Sequence, residues 1–487
     1  MLFNSYIFIL LFLPIALIGY FGINRMGRYQ MALFFLCIMS LWFYAYFNPK
    51  YLLLIGTSIL TNFCLSRLIL QQKSFALKKG LLIAGVLGNL ASIFYFKYFD
   101  FFVSNVNGIF KTDFTLRNII LPLGISFFTF QQISYLVDSY KGNIEKYTFI
   151  EYVTFVTFFP QLVAGPIVTH DETLPQFRDL DKKKLNYENL CTGLYSFSMG
   201  LGKKVLLADS FSKIVSVGFA NIEALDSTNA ILVMLAYSLQ LYFDFSGYSD
   251  MAVGLGRMFN IDIIVNFNSP FKSKNVADLW NRWHISLNRF LIKYVYIPLG
   301  GSRGSVFKTY VNTLIVFFLS GLWHGANWTF VLWGMLNGIA VVIYRMAKKY
   351  FDKLPQIVNI FITFLVFNFT FVYFRAESVH DGTQFLKKVF SGSFGSVLPE
   401  LSEALTALLE IKILARIVPD SIMMIVPGLF VYAIIIIGLV AVFTMKNTQE
   451  KAAQGVVKVK RLLSTWIILV WCILSFSGVS EFLYFNF

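Results

Sequence analysis

Thirteen stretches dominated by apolar residues follow one another along the chain, most of them close to twenty residues long. They lie near 5–23, 31–47, 51–70, 81–99, 118–137, 149–168, 190–219, 229–256, 307–323, 328–346, 356–374, 421–443 and 462–480. An α-helix rises about 1.5 Å per residue, so roughly twenty residues cross a hydrocarbon layer about 30 Å thick. That layer holds no water to satisfy backbone amides, and runs of this length satisfy them internally only as helices. The composition agrees: 57% of the 487 residues are hydrophobic and 14% charged, and the mean hydropathy is +0.66. A soluble domain carries about 25% charged residues. The pattern predicts an all-α polytopic membrane protein with roughly ten to thirteen transmembrane, re-entrant and interfacial helices. No loop is long enough for a soluble domain, so residues 1–487 are read as one integral-membrane domain.

A net charge of +15 suits cytoplasmic loops and anionic lipid, and no nucleic-acid partner is expected. Arg25 and Arg28 follow the first run, and Lys73, Lys78 and Lys79 follow the third. Both loops are placed on the cytoplasmic side, which puts the N-terminus outside. Lys446, Lys451, Lys458, Lys460 and Arg461 mark a further cytoplasmic loop, from which the last run carries residues 481–487 outward. Between about 138 and 306 the charges are mixed and assign no side. The first run has no basic segment before it and no small-residue cleavage site after it, so a retained span is expected rather than a leader. Cys37, Cys64, Cys191 and Cys472 are scattered without metal-ligand spacing, so neither disulfides nor a metal centre are expected.

Polar groups are costly in hydrocarbon and mark cavities, partners or function. His324 is the only acidic or basic side chain between Lys308 and Arg345, and it sits in Gly321-Leu322-Trp323-His324-Gly325-Ala326-Asn327. An imidazole there suits a general base or a structural hydrogen bond between helices. In Asp278-Leu279-Trp280-Asn281-Arg282-Trp283-His284, helical spacing puts Asp278, Asn281, His284 and Asn288 on one stripe. An amphipathic interfacial helix explains that segment equally well. Asp244 and Asp250, six residues apart among aromatics, suit a proton relay, a cation site or pairing with a base such as Arg282. Pro160, Gln161, Gly165 and Pro166 interrupt an apolar run. Broken backbone at membrane depth must be buried in protein or line a cavity, so a re-entrant segment beside a tunnel is expected. Nucleotide loops, the GxSxG elbow and HExxH are absent from the sequence.

Four segments taken together, FFPQLVAGPIV (158–168), YFDFSGYSDMA (242–252), LWNRWHISLNRF (279–290) with YIPLGGSR (296–303), and GLWHGANWTFVLWG (321–334), closely resemble the membrane-bound O-acyltransferase family. The resemblance is to its alginate O-acetylase branch, which includes peptidoglycan-acetylating relatives, and it extends over nearly the whole chain. It implies a helical ring around a central tunnel, with core motifs over about 120–346. It matches His324 to the histidine usually assigned as catalytic and His284 to the family's second histidine. Asn281, Asn327, Trp323, Asp278, Arg282, Asp244 and Asp250 are expected in supporting roles. The implied reaction passes an acetyl group from a cytoplasmic thioester, acetyl-CoA or an acyl carrier protein, to an exported polysaccharide. Transfer is direct or relayed by an extracytoplasmic SGNH-type partner, and the implied setting is the bacterial inner membrane. The readings left open are D-alanyl transfer to teichoic acid within the family and, outside it, a transporter or flippase, or a scaffold.

Overall fold

The computed structural model describes residues 1–419, 423, 426–455, 459–476 and 482–483, and every regular element among them is a helix. Eight helical stretches are long and apolar enough to cross a membrane: Phe8–Arg25, Tyr51–Gln71, Phe75–Phe110, Ser227–Met258, Val306–His324, Trp328–Met346, Gln356–Arg375 and Val426–Thr444. A shorter apolar helix, Tyr29–Ala45, joins them. Leu53, Ile83, Ile357 and Ile436 are exposed on these helices. Such outward apolar faces cover themselves with lipid rather than water. The chain is a multi-pass membrane protein.

Three of the expected runs take other forms. The run at 118–137 becomes a helix only from Ile125, entered through the left-handed Gly124. The run at 149–168 breaks at Phe158 into Phe149–Thr157 and the single turn Phe159–Leu162. The run at 190–219 is two helices joined by a π-helical stretch, Lys203–Ala208. The last run forms the helix Val459–Leu474. Lys458 and residues 477–481 and 484–487 lie outside the described residues, and so does most of the expected outward C-terminal stretch.

The chain divides into two compact units. The first comprises Met1–Phe197, Ser249–Val265 and Gly455–Leu462. In it Leu13–Arg25 (α1) packs on Tyr29–Ala45 (α2), and α2 packs on Phe149–Thr157 (α3). Phe12, Phe43 and Phe159 meet there, with centroids 5.2 Å apart for Phe12–Phe159 and 5.6 Å for Phe43–Phe159. Thr148 caps α3 in a reciprocal box with Glu151, satisfying amides the first turn leaves open. The same carboxylate accepts from Arg178 at 2.5 and 3.0 Å.

The second unit comprises Ser198–Tyr248, Asn266–Gln454 and Leu463–Phe487. The 32-residue helix Ser227–Met258 (α4) contributes to both units. Val276–Arg282 (α5) and Ile285–Leu291 (α6) are short, seven residues each. Val306–His324 (α7) and Trp328–Met346 (α8) form a hairpin, and Gln356–Arg375 (α9) packs on α8. The hairpin is tight because glycines face each other. A Cβ on Gly321 would lie 2.4 Å from the Phe330 carbonyl oxygen, and one on Gly334 equally close to that of Phe317. Small residues let helix backbones approach where lipid supplies no hydrophobic drive. His324 therefore ends α7 at a fixed height beside α8.

Candidate active site

His324 is the last residue of α7 and His284 stands between α5 and α6. Both are buried in the second unit, with ring centroids 6.2 Å apart. Forty residues of sequence separate them, so the hairpin packing against α5 brings them together.

His324 Nδ1 lies 2.6 Å from the carbonyl oxygen of Ser320, one turn back on its own helix. A carbonyl only accepts, so Nδ1 carries the proton and Nε2 holds the ring's lone pair. Four aromatic rings surround the imidazole: Trp333 at 4.9 Å, Trp323 at 5.0 Å, Phe374 at 5.2 Å, and His284 itself. An aromatic surround has little permanent polarity to screen charge, so any charge interaction made inside is stronger than in water.

His284 has φ +46° and ψ +52°, a left-handed conformation that residues with a side chain seldom adopt. The strain is held from Asn266, whose backbone carbonyl accepts from Ile285 N and whose side-chain oxygen accepts from Ser286 N, both at 3.0 Å. The ring packs on Phe245 at 4.7 Å and Trp323 at 5.6 Å. Backbone strain of this kind clusters at functional sites.

The left-handed residue corrects the expected stripe. A single helix through 278–288 would align Asp278, Asn281, His284 and Asn288, but the chain reverses its twist at His284 and makes two helices. Asn281 is consequently exposed, outside the histidine pocket. Asn288 lines the pocket instead and donates to the Trp280 carbonyl at 2.9 Å. Asp278 and Arg282 pair with each other at 3.0 Å along α5, so Arg282 is not the partner of Asp244. That partner is Lys204, 2.7 Å away and equally buried, which also reaches Asp209 at 2.9 Å. Asn327 caps α8 through Thr329 N and donates to the Glu377 carbonyl at 2.9 Å, away from the two rings. Of the expected supporting residues, Trp323 packs against both histidines, at 5.6 Å from His284 and 5.0 Å from His324. Asp250 is buried on α4.

Between the rings is a cavity of about 20 Å³ lined by Trp280, Trp283, His284, Asn288, Ser320 and His324 among others. That volume holds about one water. The indole nitrogens of Trp280 and Trp333 are buried with no hydrogen-bond acceptor among the described residues. Trp333 was not singled out in the sequence, because a tryptophan on an apolar helix reads as packing. In the first unit Pro160, Gln161, Gly165 and Pro166 are all buried. Gln161 donates to the Phe155 carbonyl at 2.7 Å, and a Cβ on Gly165 would meet Gln161 Cα at 2.4 Å. The broken run is thus packed inside protein, as freed backbone at membrane depth requires. No group of three or more metal-ligating side chains occurs among the described residues.

An all-helical membrane body with two histidines buried on a kinked pair of short helices and a glycine-packed hairpin defines a class of membrane acyltransferase. The family model for membrane-bound O-acyltransferases matches residues 109–378, which contain all four motif segments, and the chain belongs to that family. It is 38% identical to the peptidoglycan O-acetyltransferase of Helicobacter pylori over all of this chain and 98% of that protein. It is also 38% identical to the probable alginate O-acetylase AlgI of Pseudomonas aeruginosa, over 83% of this chain and 77% of that one. The teichoic acid D-alanyltransferase of Bacillus subtilis is more distant, 28% identical over 54% of this chain and 71% of that one. The protein is an acyltransferase, which sets aside the transporter and scaffold readings.

Proposed function

We propose that the protein transfers an acetyl group from a cytoplasmic thioester to a hydroxyl destined for an exported glycan, with His324 as general base. The observation that carries this is the His324 ring, its Nδ1 tied to Ser320 at 2.6 Å, facing a water-sized cavity shared with His284. The cavity has the size of the hydroxyl that must reach Nε2. As the hydroxyl oxygen bonds to the thioester carbonyl carbon, its proton passes to Nε2. The C–S bond then breaks and the proton leaves with the thiolate. Trp280, whose buried N–H has no acceptor among the described residues, and the His284 ring line the cavity with His324 and can serve a developing oxyanion, where one donor is worth about 10²–10³ in rate. Asn281 keeps no part in this reading, Asn327 serves only to tie the loop after α7 to Glu377, and Lys204 and Asp244 hold the unit together.

The hairpin geometry supports delivery away from the cytoplasm. Arg303, Lys308, Arg345, Lys348 and Lys349 cluster at the open end of the α7–α8 hairpin, and His324 is at the other end. The positive-inside rule puts the open end on the cytoplasmic side. Near His324, Arg375, Glu377 and Asp381 line a polar cavity of about 500 Å³, tied to its loop by the Asn327–Glu377 bond. A hydrophilic acceptor fits there, either a sugar hydroxyl or the side chain of an extracytoplasmic SGNH-type relay protein. Peptidoglycan is the favoured polymer, because similarity to a peptidoglycan O-acetyltransferase runs the length of both chains. Acetyl-CoA or an acyl carrier protein is the donor, and the inner membrane of a bacterium is the setting.

The test is His324→Ala in cells whose wall acetylation is measured, with expression and membrane insertion followed in parallel. Loss of a general base lowers transfer by about 10²–10⁴, with the protein present at wild-type amounts. Unchanged acetylation removes the base. Purified protein should release CoA from acetyl-CoA in proportion to acetyl transferred, and release without any histidine dependence counts against the mechanism.

A further inference from the structure

The first unit holds a cavity that the transfer reaction does not use. It measures about 800 Å³ and runs along α1, bounded opposite by residues 180–194. Leu13, Leu17, Ile18, Phe21, Leu190 and Leu194 supply apolar walls. From Leu13 to Arg25 is about 18 Å of helix, enough to lie beside most of one fatty-acyl chain. At the end of that helix the lining changes character, to Arg25, Lys183 and Lys184 with the buried carboxamide of Asn24.

Lys183 is the informative member. It is 6% exposed, its ammonium donates to the Phe177 carbonyl and lies 6.0 Å from the Tyr20 ring centroid, and among the described residues no carboxylate forms an ion pair with it, Asp179 and Glu151 acting on it only from beyond that distance. Its burial pulls the amine below its ordinary value. A buried cation with no carboxylate at ion-pair distance is costly, and an anion seated in the cavity lowers that cost. Arg25 is exposed at the end of α1, and Lys184 makes only a long 3.8 Å contact with the exposed Asp181. Apolar walls ending in three cations match the chemistry of one kind of occupant. Arg25 and Lys184 are exposed enough to meet an acidic protein surface, but Lys183 is enclosed and only an occupant that enters the cavity reaches it.

We propose that this cavity binds an anionic phospholipid of the bilayer, one acyl chain along α1 and the phosphate against Arg25, Lys183 and Lys184. The basic loop after α1 puts the site in the cytoplasmic leaflet, where anionic lipids attract polybasic segments. It is separate from the histidine pocket, so it stands or falls independently of the transfer mechanism.

The experiment is native mass spectrometry of the full chain released from detergent after titration with phosphatidylglycerol, phosphatidylcholine of the same chains, or inorganic phosphate. Phosphatidylglycerol should be retained at least about tenfold more than phosphatidylcholine, given roughly 1 kcal/mol per nearby cation. The exposed pair Arg25→Gln and Lys184→Gln should lower it severalfold toward the phosphatidylcholine level, Lys183 being left in place, without changing the melting midpoint of lipid-free protein. Leu17→Trp, which fills the apolar part, should lower retention of both lipids. Equal retention of the two lipids overturns the proposal. So does phosphatidylglycerol binding that ignores the charge substitutions, or inorganic phosphate binding that matches the lipid. Binding of acyl carrier protein that the two Gln substitutions abolish while lipid retention stays intact assigns the patch to a protein and also overturns it.

Discussion

His324 owes its tautomer to a carbonyl of its own helix, four residues back. The consequence is local: with Nδ1 donating to that carbonyl, Nε2 holds the ring's lone pair. His284 is set differently, by a backbone conformation that costs about 1–3 kcal/mol for a residue with a Cβ. Glycine ordinarily destabilises relative to alanine, yet at φ +46° it is released from that cost. His284→Gly should therefore be more stable than His284→Ala by about 1 kcal/mol, read as the higher melting midpoint in detergent. Both lack the ring, so both should lose transfer activity if that ring serves the reaction. The sequence exposed both histidines, because an imidazole amid apolar residues is conspicuous. It gave no sign of the left-handed turn, since nothing at Trp283-His284 resembles a helix terminator such as glycine or proline. Asn288 stood on the expected stripe, but its bond to the Trp280 carbonyl depends on the break at His284, and Trp333 reads as packing on an apolar helix.

At the scale of elements, capping and close packing fix where side chains can go. Thr148 and Glu151 open α3, and Arg178 from another helix grips the same carboxylate. Burial would raise the Glu151 carboxyl, but the Arg178 and Thr148 hydrogen bonds outweigh it and hold the group below its ordinary value. A carboxyl depressed in the folded state stabilises the fold above the unfolded value, about 4.3 for glutamate, and loses that contribution as pH falls through its folded value. The melting midpoint should drop between about pH 5 and about pH 2, the span around and below the unfolded value, by less in Glu151→Gln than in wild type. An equal drop in the two proteins removes Glu151 as a source. Boundaries of most of the long apolar helices were legible to within a few residues, as at 307–323 against Val306–His324, whereas 81–99 covers only the middle of the continuous stretch Phe75–Phe110. The broken runs were not, because apolar content measures suitability for lipid and is blind to a kink at Phe158 or a π turn at Lys203.

Across the molecule, one buried ion network ties distant stretches of the second unit. Lys204 joins Asp244 and Asp209, and the Leu483 amide donates to the other Asp244 oxygen at 3.1 Å. Removing one partner of a buried pair strands the other charge, at about 3–5 kcal/mol. Lys204→Met should lower the melting midpoint strongly, and Asp244→Asn added to it should recover part of the loss. Additive losses in the double variant would deny the coupling. The pairing of Asp244 with a basic residue was foreseeable from its burial in an apolar run, but not the identity of that base. Lys204 is forty residues earlier, while Arg282, the nearer guess by motif, is occupied by Asp278.

The sequence alone determined the solvent. So many apolar residues with so few charges require lipid, lipid requires helices, and four ordered motifs carry the family. Those are properties of composition, period and residue order, which survive without coordinates. Only the tertiary structure decided which polar groups meet, because contacts across forty or more residues depend on helix packing and on breaks in helices. The glycine-packed hairpin sets the height of His324, and one left-handed residue turns His284 toward it and Asn281 away.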